Sequence, residues 1–155
     1  MRPLPAAILG GLAAGVITTI VMTAGRKTGV LGKTLDRDAV DWIDDVTGSR
    51  AIIGDAGTSA VEFANHLAAS AAFAAAWPAL RRLAPEVPLG VLATGYGTAL
   101  YAVNIAGIAP ILGITEGERE AGLRKAAERW LVHIIQTIAT ALIAEQLTNR
   151  EPPVR

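Results

Sequence analysis

PLPAAILGGLAAGVITTIVMTAG, residues 3–25, runs without a single charged side chain. A helix needs about 20 predominantly apolar residues to cross the hydrocarbon core of a bilayer, so this stretch reads as a transmembrane helix. Three more stretches of similar length follow: Ser59–Leu80, Val87–Leu112 and Trp130–Leu147. Val87–Leu112 belongs to a longer charge-free interval that extends to Glu116. Charge-free runs of this length do not suit a surface that faces water. The reading is an all-α polytopic membrane protein, a bundle of four transmembrane helices. The alternative is a soluble bundle rich in Ala and Leu.

Composition agrees with the membrane class. The 155 residues are 52% hydrophobic and 18% charged, with a mean hydropathy of +0.41. Soluble domains carry about 25% charged residues. The formal net charge is zero, which offers no electrostatic attraction for nucleic acid. There is no cysteine, which removes disulfides, thiolate metal sites and thiol nucleophiles. Met1-Arg2 followed by an apolar run resembles a signal peptide, but the run outlasts an ordinary signal core, so the expectation is a retained first span. Residues 1–148 are expected to form one transmembrane domain and 149–155 a disordered tail.

The first span contains Gly11-Leu-Ala-Ala-Gly15, a spacing of small residues that lets helix backbones approach closely in lipid. The third contains Gly95-Tyr-Gly97, whose likeness to a channel filter is superficial. Gly11, Gly15, Gly95 and Gly97 are therefore candidates for contact with a second copy or another membrane protein. Thr18 is expected to satisfy itself by bonding to its own helix.

Loop one, Arg26–Thr58, carries Leu35, Val40, Trp42, Ile43 and Val46 on one helical period, with Asp36, Asp38, Asp41, Asp44 and Asp45 between them. This predicts a short amphipathic helix lying at the membrane surface, Trp42 at headgroup level and the aspartates in water. The aspartates lack the glycine turn and terminal Glu of a calcium-binding loop. Ser59-Ala-Val-Glu62 and Thr115-Glu-Gly-Glu118 fit capping boxes that would start the second span and a long last helix, Glu116–Leu147. A break or kink is expected near Pro110. Loop two, Leu83–Pro88, is short enough to make spans two and three an antiparallel hairpin.

Four spans put loop one and loop three, the segment between Leu112 and Trp130, on one side of the membrane. Counting inward from that side brings polar residues from separate helices to one depth. Glu62 lies in the first turn of span two, with Asn65 and His66 one turn deeper on the same face. Asn104 lies near the end of span three. His133 is about 5 Å past Trp130, Gln136 follows on that face, and Arg129 sits at the interface. Each alone could reach water from a span end. Together, ionisable residues at membrane depth mark an ion, proton or ligand site, and histidine titrates near neutral pH. The structural alternative is a set of hydrogen bonds that locks the bundle. No metal or cofactor is favoured; the alternative is a b-type haem held by His66 and His133. No HxxxH, HExxH, Ser/His/Asp arrangement, P-loop or dinucleotide fingerprint is present, so no enzyme activity is expected.

Asn65-His66-Leu67 in span two, Val103-Asn104-Ile-Ala-Gly-Ile-Ala-Pro110-Ile-Leu-Gly113 closing span three, and Val132-His133 in span four resemble the YagU-like family of bacterial inner-membrane proteins. The resemblance covers about half the chain through loose patterns. It implies a multi-pass inner-membrane protein loosely linked to acid tolerance. It also implies a histidine at the position of Asn104, where this chain departs from the pattern.

On lysine and arginine count, loops one and three carry nine (Arg26, Lys27, Lys33, Arg37, Arg50, Arg119, Arg124, Lys125 and Arg129), which by the positive-inside rule places them in the cytoplasm. Arg81-Arg82 in the shortest loop and the family resemblance point the other way.

Overall fold

A computed structural model describes residues 1–149 of the chain. The described residues are helical and contain no strand. The helices are α1 (Pro3–Lys27), α2 (Leu35–Thr47), α3 (Ser49–Ala74), the short α4 (Trp77–Leu83), α5 (Leu89–Ile111) and α6 (Glu118–Asn149). Three of them, α1, α5 and α6, are long and apolar enough to cross a membrane, with mean hydropathies of 2.0, 1.3 and 1.3 over their most apolar windows. These three helices point to a membrane protein.

The interior agrees. Its buried apolar residues are mostly small: Ala6, Ala7 and Ala14 of α1, Ala74 of α3, Ala93 of α5, Ala141 and Ala144 of α6. Large apolar side chains point outward instead, among them Ile20, Val91 and Leu131. Small residues inside and bulky ones outside is the pattern of helices that associate in lipid, where packing rather than escape from water brings them together.

The helices lie side by side in the order α3, α1, α6, α5, with α2 laid against α3. Glycines set the spacing at the centre. A Cβ on Gly11 would stand 2.4 Å from the Ala74 Cβ and 2.6 Å from the Ser70 carbonyl oxygen, and one on Gly10 would stand 2.8 Å from the Thr140 carbonyl oxygen. The two ends of the bundle are defined by cross-contacts. At one end loops one and three meet, with the Gly32 N–H donating to Glu128 Oε2 (3.2 Å) and Arg124 to the Val30 carbonyl (3.2 Å). At the other, the Met1 ammonium donates to the Leu147 carbonyl (3.2 Å) and Arg81 pairs with Glu145 (3.0 Å).

Several expected boundaries move. The helix holding the second stretch begins at Ser49, not Ser59, and breaks at Gly54 (φ 68°, ψ 178°), a conformation that glycine adopts cheaply. Ser59 is thus interior to the helix and caps nothing. The same stretch is interrupted after Ala74 and resumes as α4, so 59–80 is two helices rather than one. The long last helix starts at Glu118 and breaks at Gly122 (φ 82°, ψ 160°), so it is not continuous from Glu116. Thr115 forms no cap; its buried hydroxyl has no hydrogen-bond partner. Asn149, placed in the tail by sequence, ends α6, and 150–155 lie outside the described residues.

The irregularity expected near Pro110 is a π-helical segment, Tyr101–Ile108, within α5. A proline inside a helix removes one backbone bond and presses its ring on the carbonyl four residues back, here that of Ala106. A wider turn just before it absorbs that misfit, and such bulges recur at functional sites.

Candidate functional site

His66 stands where three helices converge. Its Nδ1 lies 2.9 Å from Asp36 Oδ2 of α2, and its Nε2 lies 3.0 Å from Thr18 Oγ1 and 3.2 Å from the Gly15 carbonyl oxygen of α1. Gly15 makes this approach possible. A Cβ there would come within 2.8 Å of Ser70 Oγ and 2.9 Å of Leu67 Cδ2, so any side chain would wedge α1 from α3. Ser70 in turn donates to the His66 carbonyl (2.7 Å).

The chain of bonds continues across α1. Thr18 Oγ1 lies 2.7 Å from Gln136 Oε1 of α6, and Gln136 Nε2 donates to the Gly11 carbonyl (3.4 Å). Thr18 also bonds its own helix at Ala14 (3.0 Å) and Gly15 (3.1 Å), as expected of a threonine in a span. Its single proton cannot serve all these acceptors at once. When Nε2 carries a proton, it donates toward the Gly15 carbonyl and the Thr18 oxygen, and the Thr18 O–H is free for Gln136. When Nε2 is bare, Thr18 can donate to it instead, and Gln136 loses that donor. Hydrogen bonds at Thr18 thus link His66 on α3, through α1, to Gln136 on α6.

Beside these bonds opens a cavity of about 230 Å³. Of the residues proposed from sequence, His66, His133, Asn65, Asn104, Gln136 and Arg129 line it. Glu62 does not. Its carboxylate faces Arg26 (3.8 Å) and Arg37 (3.5 Å) instead, because α1 and α2 bring basic side chains to that edge of α3. His133 Nδ1 donates to the Arg129 carbonyl (2.8 Å), and the ring meets Tyr101 edge-on, 6.1 Å between centroids. Asn104 donates to the Leu100 carbonyl (3.0 Å) at the point where α5 widens. The cavity also carries apolar wall: Leu31, Leu35, Phe73, Leu100, Ile105 and Val132.

Arg129 is 8% exposed. Its Nη1 donates to Glu118 Oε1 (2.7 Å), and Glu118 Oε2 accepts from Tyr101 (2.9 Å). Its Nη2 lies 3.7 Å from Asp38 Oδ2, too far for a hydrogen bond.

Asp36 is the residue that sequence reasoning missed. The acidic face of α2 was expected in water, yet four of its five aspartates turn to the protein. Asp36 takes His66; Asp38 takes Lys33 (2.8 Å); Asp41 takes Lys33 (2.9 Å), Arg37 (3.3 Å) and Arg50; Asp44 accepts from the Arg50 backbone N–H (2.7 Å). Only Asp45 is exposed, while Ile43 and Val46 on the same helix face outward. The hydrogen bond from Lys33, with support from Arg50, holds the Asp41 carboxyl at about 2, and the bonds to Asp38 and Asp41 push the Lys33 ammonium above its ordinary value. The signal for this inversion was present in the three basic residues that flank or interrupt the acidic run, Lys33, Arg37 and Arg50.

A haem held by His66 and His133 would need one free ring nitrogen on each. Both nitrogens of His66 are engaged, so the residues present do not fit that ligation. Among the described residues no group of three or more His, Asp or Glu is arranged to hold a metal ion. Gly11, Gly15 and Gly97 face α3 or α6 inside the chain, which removes them as a surface for a partner; Gly95 alone has open space beside it.

No protein-family model matches the chain, and no curated protein or solved structure matches it either.

Proposed function

We propose that the chain is a four-span membrane protein whose cavity is a proton-linked solute site. One observation carries this reading: an ionisable side chain, His66, bridges the loop-one helix and two core helices at the wall of a cavity. A histidine so placed can couple gain or loss of a proton to the attachment of α2 over the cavity. The charged or titratable groups around it are Asp36 on α2, Glu62 one turn back on α3, and His133 on α6.

The four spans in this reading are α1, α3 continued by α4, α5 and α6. Loops one and three then share a side, in keeping with their mutual contacts. The outward Ile43 and Val46 of α2 support a helix lying at the membrane surface with its apolar side in lipid. The YagU-like resemblance agrees with a multi-pass inner-membrane protein and supplies no mechanism.

The test is proton flux into liposomes reconstituted with purified protein, read by a pH dye in the lumen under an imposed gradient. Flux above protein-free liposomes is expected for the native chain, and His66→Ala or Asp36→Asn should return it to that background. Flux unchanged in both variants would remove the pair from the pathway.

A further inference from the structure

Most charges that line the cavity have a partner among the described residues, and Lys125 has none. Asp36 is taken by His66, Glu128 by Arg124 (2.9 Å) and the Gly32 N–H, and Lys33 by Asp38 and Asp41. Lys125 lines the cavity and has no ion pair or hydrogen bond among the described residues. Arg129 lines it too. The charge of Arg129 is paired with Glu118 (2.7 Å) and Asp38 (3.7 Å), but its Nε and Nη2 are buried without a hydrogen-bond partner. Buried guanidinium N–H groups left unmatched cost free energy that an incoming oxygen would recover.

Lys125 and these Arg129 nitrogens lie in the two turns of α6 that follow the break at Gly122, at the loop end of the cavity. The deeper wall is apolar, with Phe73, Leu100, Ile105 and Val132. A volume of about 230 Å³ corresponds to roughly eight waters at about 30 Å³ each in the liquid. That admits a body of roughly eight to ten non-hydrogen atoms.

We infer that the cavity binds a small amphipathic carboxylate, its head on Lys125 and Arg129 and its apolar body against Phe73, Leu100 and Ile105. The assignment rests on reading the cavity as a solute site, and not on that site being proton-linked. The same head chemistry could come from an acidic lipid of the surrounding leaflet, so lipid is one arm of the test.

The experiment is isothermal titration of the full chain in a non-ionic detergent with hexanoate, hexanol and hexylammonium. Hexanoate should bind at least about tenfold tighter than the other two, the expected worth of a charge-assisted contact. Lys125→Gln should weaken hexanoate by about tenfold and leave hexanol unchanged. Arg129→Lys, which keeps the charge and loses the fork of donors, should also weaken hexanoate; the Lys125 variant keeps the question answerable if Arg129→Lys fails to fold. Equal binding of the three probes, preference for hexylammonium, or a Lys125→Gln protein that binds hexanoate normally would each overturn the assignment. Added phosphatidylglycerol that fails to displace hexanoate supports a free carboxylate as ligand; full displacement at an equal mole ratio would overturn it in favour of lipid. Titration needs no gradient. Flux lost in His66→Ala with hexanoate still bound would leave this assignment standing, and flux without hexanoate binding would overturn this assignment alone.

Discussion

Lys33 and Asp41 show how a pair of exposed-looking charges can set the working range of a structural element. Asp41 is held at about 2, below the usual carboxylate value, so what it contributes to the attachment of α2 is complete above that usual value and fades as pH falls toward 2. Lys33 is raised, so its contribution is complete below 10.5 and fades as pH climbs past that value. The Lys33–Asp41 attachment should therefore hold between about pH 4 and pH 10.5. Trp42 emission, recorded in a Trp77→Phe, Trp130→Phe background, should stay flat for this pair across that window and shift below it. In Asp41→Asn the acid shift should vanish because the altered emission is already present at neutral pH. An unchanged acid shift in Asp41→Asn would assign the effect to another carboxylate.

Among the elements, α1 has the most demanding contacts, and its glycines are crowded where Gly95 of α5 is not. Gly11→Ala must push the Ala74 methyl or the Ser70 backbone aside, so it should destabilise the bundle by about 1–3 kcal/mol. Gly95→Ala, with nothing within 4 Å of its new methyl, should stay within about 0.5 kcal/mol of the native chain. Unfolding in mixed micelles with a denaturing detergent measures both, and equal effects would contradict the packing described for α1 and α3. The apolar runs made the helices of α1, α5 and α6 legible, because length and hydropathy are properties of one segment. The breaks at Gly54 and Gly122 were not legible, since a glycine in a helical pattern is usually tolerated without a break. The candidate site was legible to the extent that it depends on depth: counting turns brought His66, Asn104, His133 and Gln136 to one level. Asp36 and Thr18 escaped because their roles depend on which way a helix is rotated. That rotation is fixed by partners on other segments, Arg50 and Lys33 for α2 and Gln136 for α1.

For the whole molecule, the lack of cysteine turns the four-span reading into a direct measurement. Single variants Asp45→Cys, Glu120→Cys and Arg82→Cys place a thiol at exposed positions on loop one, loop three and α4. With a membrane-impermeant maleimide, the first two should label from one side of sealed vesicles and the third only from the other. Labelling of Arg82→Cys together with Asp45→Cys would mean that α3 and α4 do not cross. The outward Leu, Ile and Val side chains carry a last consequence. A protein built with its bulk on the outside has little oil of its own to squeeze its helices together. In a bilayer, compression would come from the neighbouring acyl chains, so the lateral pressure of the leaflet would bear on the cavity as a constraint that the gene does not encode. Thinner or looser bilayers would then retune the width between α3 and α6 without altering a residue.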